Sequence, residues 1–124
     1  MQHVTGVGGV FFKADDPATM AAWYRDHLGI GSDAGFVEFP WREADRPDQL
    51  GRTVWSLFPR DTDYFGPGPS RFMINYRVAD LNGLLQQLRA AGVTVEKEEA
   101  ADYGKFAWIT DPEGNRIELW EPIG

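Results

Sequence analysis

Residues 51–59, GRTVWSLFP, and residues 114–122, GNRIELWEP, decide how this chain is read. Laid over each other without a gap, they match Gly51 with Gly114, Val54 with Ile117 and Pro59 with Pro122. The match extends upstream. Asp16 and Asp80 stand 64 positions apart, each before a helical pattern. At that offset Val10, Phe12 and Ala14 fall on Ile74, Tyr76 and Val78, and Gly29 then matches Gly92 after one residue drops out. The chain is an internal duplication.

Each copy has the same order of elements. HVTGVGGVFFKA alternates Val10, Phe12 and Ala14 with Gly9, Phe11 and Lys13, as a strand does. DDPATMAAWYRDHLGI predicts a helix. Asp16 is its cap and Pro17 its first residue, Met20, Trp23, Tyr24 and Leu28 form its apolar face, and Gly29 ends it. AGFVEFPWRE, the turn-rich ADRPDQLG and RTVWSLFP predict two or three antiparallel strands. RDTDYFGPGPS, residues 60–70, reads as a linker. RFMINYRVA then starts the second copy, followed by a helix over DLNGLLQQLRAAGV and strands over VTVEKEE, GKFAWIT and RIELWEP. The fold class expected is α+β, with two tandem βαβββ modules. Residues 1–124 form one unit: module 1 at about 4–60, the linker at about 60–70, module 2 at about 71–122.

Composition narrows the function. The net charge is −7 with no basic run, which argues against nucleic acid. There is no cysteine, so disulfides, thiolate zinc sites and cysteine nucleophiles are excluded. The N-terminal MQHVTGVGGVFF has neither a basic start nor a long apolar core. No signal peptide, membrane span or membrane partner is expected, and the expected location is cytoplasmic. Only two histidines exist, His3 and His27, so any site needing two must use both.

A duplicated strand–helix–three-strand plan, with GVGGVFFKADDPATMAAWYRDHLGI at the front and YGKFAWITDPEGNRIELWEP at the back, resembles the vicinal oxygen chelate superfamily. Glyoxalases, bleomycin-resistance proteins and extradiol dioxygenases belong to it. The resemblance covers nearly the whole chain. It implies paired curved mixed sheets around a central cavity, helices outside, and commonly a homodimer. Metal-dependent members are expected to carry a ligand on the first and last strand of each module. Those positions here are Gly9, Met73, Glu118 and either Trp55 or Ser56. The ungapped repeat favours Trp55, while matching Leu57 to Leu119 favours Ser56. Glu118 alone is a usual ligand type, so neither a metal nor a cofactor is expected.

Strand parity sorts the cavity face. Val10, Phe12, Ala14, Ile74, Tyr76, Val78, Ile117 and Leu119 are expected under the helices. Phe11, Met73, Trp120, Trp55 and Trp108 are expected as apolar cavity walls, and Asn75, Arg77, Lys13 and Glu118 as polar anchors. Arg116 shares the inward parity. A few polar groups in an aromatic cavity suit a small aromatic or carboxylate-bearing ligand bound without metal. Glu118 is the candidate catalytic residue under a second reading, a glyoxalase-like lyase, isomerase or epimerase using it as base or residual metal ligand. The plainer alternative is a structural ion pair to Arg77 or Lys13. Tyr64 and Phe65 in the linker either line the cavity mouth or pin the linker to the core. A third reading is a nonenzymatic interaction or regulatory protein with a filled cavity.

Overall fold

A computed structural model describes residues 2–31 and 36–123. The elements are β1 (Val4–Ala14), α1 (Pro17–Leu28), β2 (Phe36–Arg42), β3 (Leu50–Pro59), β4 (Phe72–Val78), α2 (Leu81–Ala90), β5 (Lys97–Ala101), β6 (Gly104–Thr110) and β7 (Arg116–Pro122). Ala34 and Gly35, the start of the second predicted strand, lie outside the described residues. Among the described residues the first module has two strands after its helix and the second has three.

The seven strands of the described residues form one mixed sheet in the order β2-β3-β1-β4-β7-β6-β5. The modules meet where β1 and β4 run antiparallel. Gly9 pairs with Asn75, Val10 with Ile74 and Phe11 with Met73, so the pseudo-twofold axis of the duplication passes through the Val10–Ile74 pair. Within each module the first and last strands are parallel, β1 with β3 and β4 with β7. This is the α+β arrangement of paired modules expected from the repeat.

The helix signals act as the sequence indicates. Asp16 accepts the Thr19 N–H at 3.2 Å, Pro17 opens α1, and Gly29 closes it at φ 70°. Asp80 accepts the Gly83 N–H at 3.0 Å. The two helices then differ. Leu81, Leu84 and Leu85 of α2 pack with Val78, Ala107 and Leu119, with Tyr76, Ile109 and Ile117 against them. α1 buries no residue fully, and Trp23 and Leu28, expected on its apolar face, are about half exposed. Tyr24 makes its main aromatic contacts, edge-on to Phe12 and Trp55.

The turn at Asp111 aims the last strand. Its carboxylate accepts the N–H groups of Glu113 and Asn115, both at 2.9 Å, and Gly114 takes a left-handed φ of 90°. From there β7 runs beneath α2 with Ile117 and Leu119 toward the helix, which turns Arg116, Glu118 and Trp120 to the other face of the sheet.

Candidate functional site

That other face holds a cavity of about 320 Å³, lined by Phe11, Tyr64, Phe106, Trp108, Glu118 and Trp120, with Gly8, Val54, Asn75, Glu99, Ala101 and Tyr103 completing it. It opens into a groove of about 880 Å³ through shared walls at Phe11, Val54, Tyr103 and Trp120. The interior is therefore not filled. Phe36 and Glu38 line the groove, which shows that their parity on β2 faces inward.

Glu118 sits at the bottom, 1% exposed. The Tyr64 hydroxyl donates to Oε1, and Asn75 Nδ2 donates to Oε2 at 2.7 Å. Burial raises its carboxyl pKa above the ordinary value, and the Tyr64 and Asn75 hydrogen bonds and the Arg116 charge only partly offset this. Burial and the neighbouring Glu118 charge push the Tyr64 phenol far above its ordinary value, so it stays protonated. Trp108 stands opposite Glu118 on β6 and Phe106 opposite Trp120, so β6 and β7 build one aromatic wall. The Phe106 and Trp120 rings are 6.0 Å apart and nearly parallel.

The structure brings Phe11, Asn75, Trp108, Glu118 and Trp120 together. Met73 lies beneath them, 1% exposed, in a cluster with Phe11, Phe65 and Trp108. Three expectations change. Trp55 is on the opposite face, against Phe12 and Tyr24. The strand register explains this. Phe11 pairs with Ser56 as its repeat equivalent Asn75 pairs with Glu118, so Ser56, not Trp55, is the counterpart of Glu118. The ungapped overlay is one residue out of register, and one residue reverses the face. Arg77 and Lys13 do not pair with Glu118. Arg77 lines the outer groove, donates to the Leu50 carbonyl at 3.3 Å and lies 3.9 Å from Glu43. Lys13 rides over the Phe65 ring at 5.4 Å, near the end of its strand.

Tyr64 is the partner that strand reasoning did not assign to Glu118. Its signal was the pair of adjacent aromatics in the linker. The two readings of that pair divide between them: Phe65 is 1% exposed and pins the linker, while Tyr64 lines the cavity. Phe106, Glu99 and Tyr103 are further lining residues that parity alone did not single out.

The metal-ligand positions expected from the resemblance carry few donors. Gly9 has no side-chain donor, Met73 offers a thioether, and Ser56 offers a hydroxyl on the groove side. Glu118 already accepts two hydrogen bonds. Among the described residues no group of three or more His, Asp or Glu side chains converges. His3 and His27 are both exposed, His27 against Trp23 on α1. These residues do not fit the ligand set of a divalent ion.

The sheet order and the parallel outer pairings are those expected from the vicinal oxygen chelate resemblance. The chain belongs to the glyoxalase-like domain family, whose model matches residues 9–120. Solved structures share the fold. A methylmalonyl-CoA epimerase from Mycobacterium tuberculosis is 26% identical, with a TM-score of 0.56 over 98% of this chain and 90% of that one. A Streptomyces coelicolor methylmalonyl-CoA epimerase variant is 14% identical, with a TM-score of 0.70 over 98% and 97%. The Mn(II)-bound glyoxalase from Novosphingobium aromaticivorans is 21% identical, with a TM-score of 0.62 over 98% of this chain and 40% of that one. No curated protein matches the chain in sequence. Among the described residues no helix is long and apolar enough to cross a membrane.

Proposed function

We propose that this protein binds a small planar molecule in the inner cavity without a metal. The observation that supports this most is the lining itself: six aromatic residues around one buried, hydrogen-bonded carboxylate. Flat apolar walls favour an aromatic ligand, and a single fixed polar group orients it. Among the described residues Glu118 and Glu99 line this cavity and no Lys or Arg does, so the cavity selects against a carboxylate there. It favours a neutral or cationic ring that presents an N–H or O–H to Glu118. A titration of 4-aminoquinoline, 2-naphthol and 2-naphthoate, followed by tryptophan fluorescence and thermal shift, tests this. The amine is expected to bind most tightly and the carboxylate most weakly, with Glu118→Gln losing the preference. Tightest binding of 2-naphthoate would overturn the reading.

A second reading is supported by the raised pKa of Glu118 and by the epimerases among the structural neighbours. Glu118 would act as a base on a proton next to a carbonyl, as in a lyase, isomerase or epimerase. Deuterium uptake from D2O at such a carbon, lost in Glu118→Gln, would favour it over simple binding.

A further inference from the structure

We propose that Tyr64, contributed by the linker between the modules, is a positioning residue of the site: its hydroxyl donates to Glu118 and fixes the carboxyl group in the cavity. The linker is built to deliver that hydroxyl. Phe65 is buried in the cluster with Phe11, Met73 and Trp108, which anchors the segment one residue away. Gly66, at φ 83°, donates its N–H to the Asp63 carbonyl at 3.0 Å and closes a tight turn around the pair. The Tyr64 ring stacks on Phe58 with centroids 5.4 Å apart and planes 6° apart, and meets Phe11 and Trp108 edge-on. Moving the phenol oxygen away from Glu118 requires the ring to leave that stack.

At Glu118, burial favours the neutral acid, and the Tyr64 hydrogen bond is the foremost opposing effect. Tyr64 stays protonated itself, so it is a donor throughout the working pH range. Phenylalanine at this position would keep every ring contact and lose only the donor. The role therefore differs from that of a packing residue, and it belongs to a segment outside the strands that carry the rest of the site.

The first test uses the ligand-free protein with glutamate labelled with carbon-13 at its carboxyl, the Glu118 resonance being the one absent from Glu118→Gln. The titration midpoint is expected to move up in Tyr64→Phe and to stay in place in Tyr24→Phe, whose ring packs on the helix side of the sheet. An unchanged or lower midpoint in Tyr64→Phe overturns the proposal. A measurement on the unsubstituted chain guards against a variant that folds poorly: the Tyr64 ring carbon bearing the hydroxyl is expected to shift at the Glu118 midpoint, and a flat response also overturns it. The second test rests on the binding reading above. Affinity for 4-aminoquinoline in Tyr64→Phe is expected to fall about tenfold between the two midpoints. A moved midpoint with no binding to either protein supports Tyr64 and sinks the ligand reading. Equal binding with an unmoved midpoint does the reverse.

Discussion

Replacing Glu118 by glutamine is expected to stabilise the protein near neutral pH. The carboxylate is 1% exposed, and the effective penalty for burying such a charge is several kcal/mol. Hydrogen bonds from Tyr64 and Asn75 offset part of that penalty at roughly 1.5–3 kcal/mol each, against about 1 kcal/mol for neutral equivalents. The balance is unfavourable to the charge, because the folded-state pKa lies above the ordinary 4.5. Glutamine keeps an acceptor for Tyr64. Asn75 Oδ1, buried and without a hydrogen-bond partner among the described residues, can turn to accept the new amide N–H. The net gain is about 1–2 kcal/mol, a Tm rise of several degrees for a chain this size. The sign with pH follows by linkage: a carboxyl with a raised pKa stabilises the fold fully below 4.5, and this contribution is lost as pH rises through the folded-state value. Urea unfolding of both proteins from pH 4 to 8 reads the difference directly. The variant's advantage is expected to be near zero at the acid end and to grow with pH. A flat difference, or a wild type that gains on the variant as pH rises, would refute the reasoning.

Three further outcomes are expected. Trp120→Ala should weaken binding of an aromatic probe by about tenfold or more, while Trp55→Ala leaves affinity intact and lowers stability by roughly 2 kcal/mol; equal effects on affinity would contradict the placement of Trp55. Gly104→Ala should destabilise by about 2 kcal/mol or more, since φ is 147° and a Cβ there would lie 2.5 Å from the Glu121 carbonyl; denaturant midpoints check it. Asp111→Ala should lower stability at neutral pH by removing the acceptor of the Glu113 and Asn115 N–H groups. The Asn115 side-chain amide first, then these backbone N–H groups, lower the Asp111 pKa below 3.8, so the loss should fade as pH falls through the lowered value.

Much of the site was legible from local pattern. Alternation on a strand placed Phe11, Asn75, Glu118 and Trp120 on the inner face, because the side-chain period of two leaves little choice once the helix face is known. Trp108 was expected as an apolar wall together with Trp55, and of the two only Trp108 lines the cavity. The partners of Glu118 were not legible. Lys13 and Arg77 had the right charge and parity, but their neighbours depend on where each strand ends against the linker and the first-module hairpin. Phe65 takes up Lys13, and Trp41 and Glu43 take up Arg77. Tyr64 lies in no periodic element, so no alternation rule could aim it.

The duplication, the capped helices at Asp16 and Asp80 and the linker are readable from residue order alone, since each rests on spacing and local backbone preference; the family is suggested by resemblance and shown by the match over residues 9–120. The pairing of β1 with β3 and β4 with β7 is not readable in that way. It set Ser56, rather than Trp55, opposite Phe11, and so decided which tryptophan faces the cavity. It also left Glu118 to a phenol 54 residues away in sequence rather than to a cation. Register between distant strands and the course of a linker are set by long-range packing, which a one-residue ambiguity in the repeat is enough to hide.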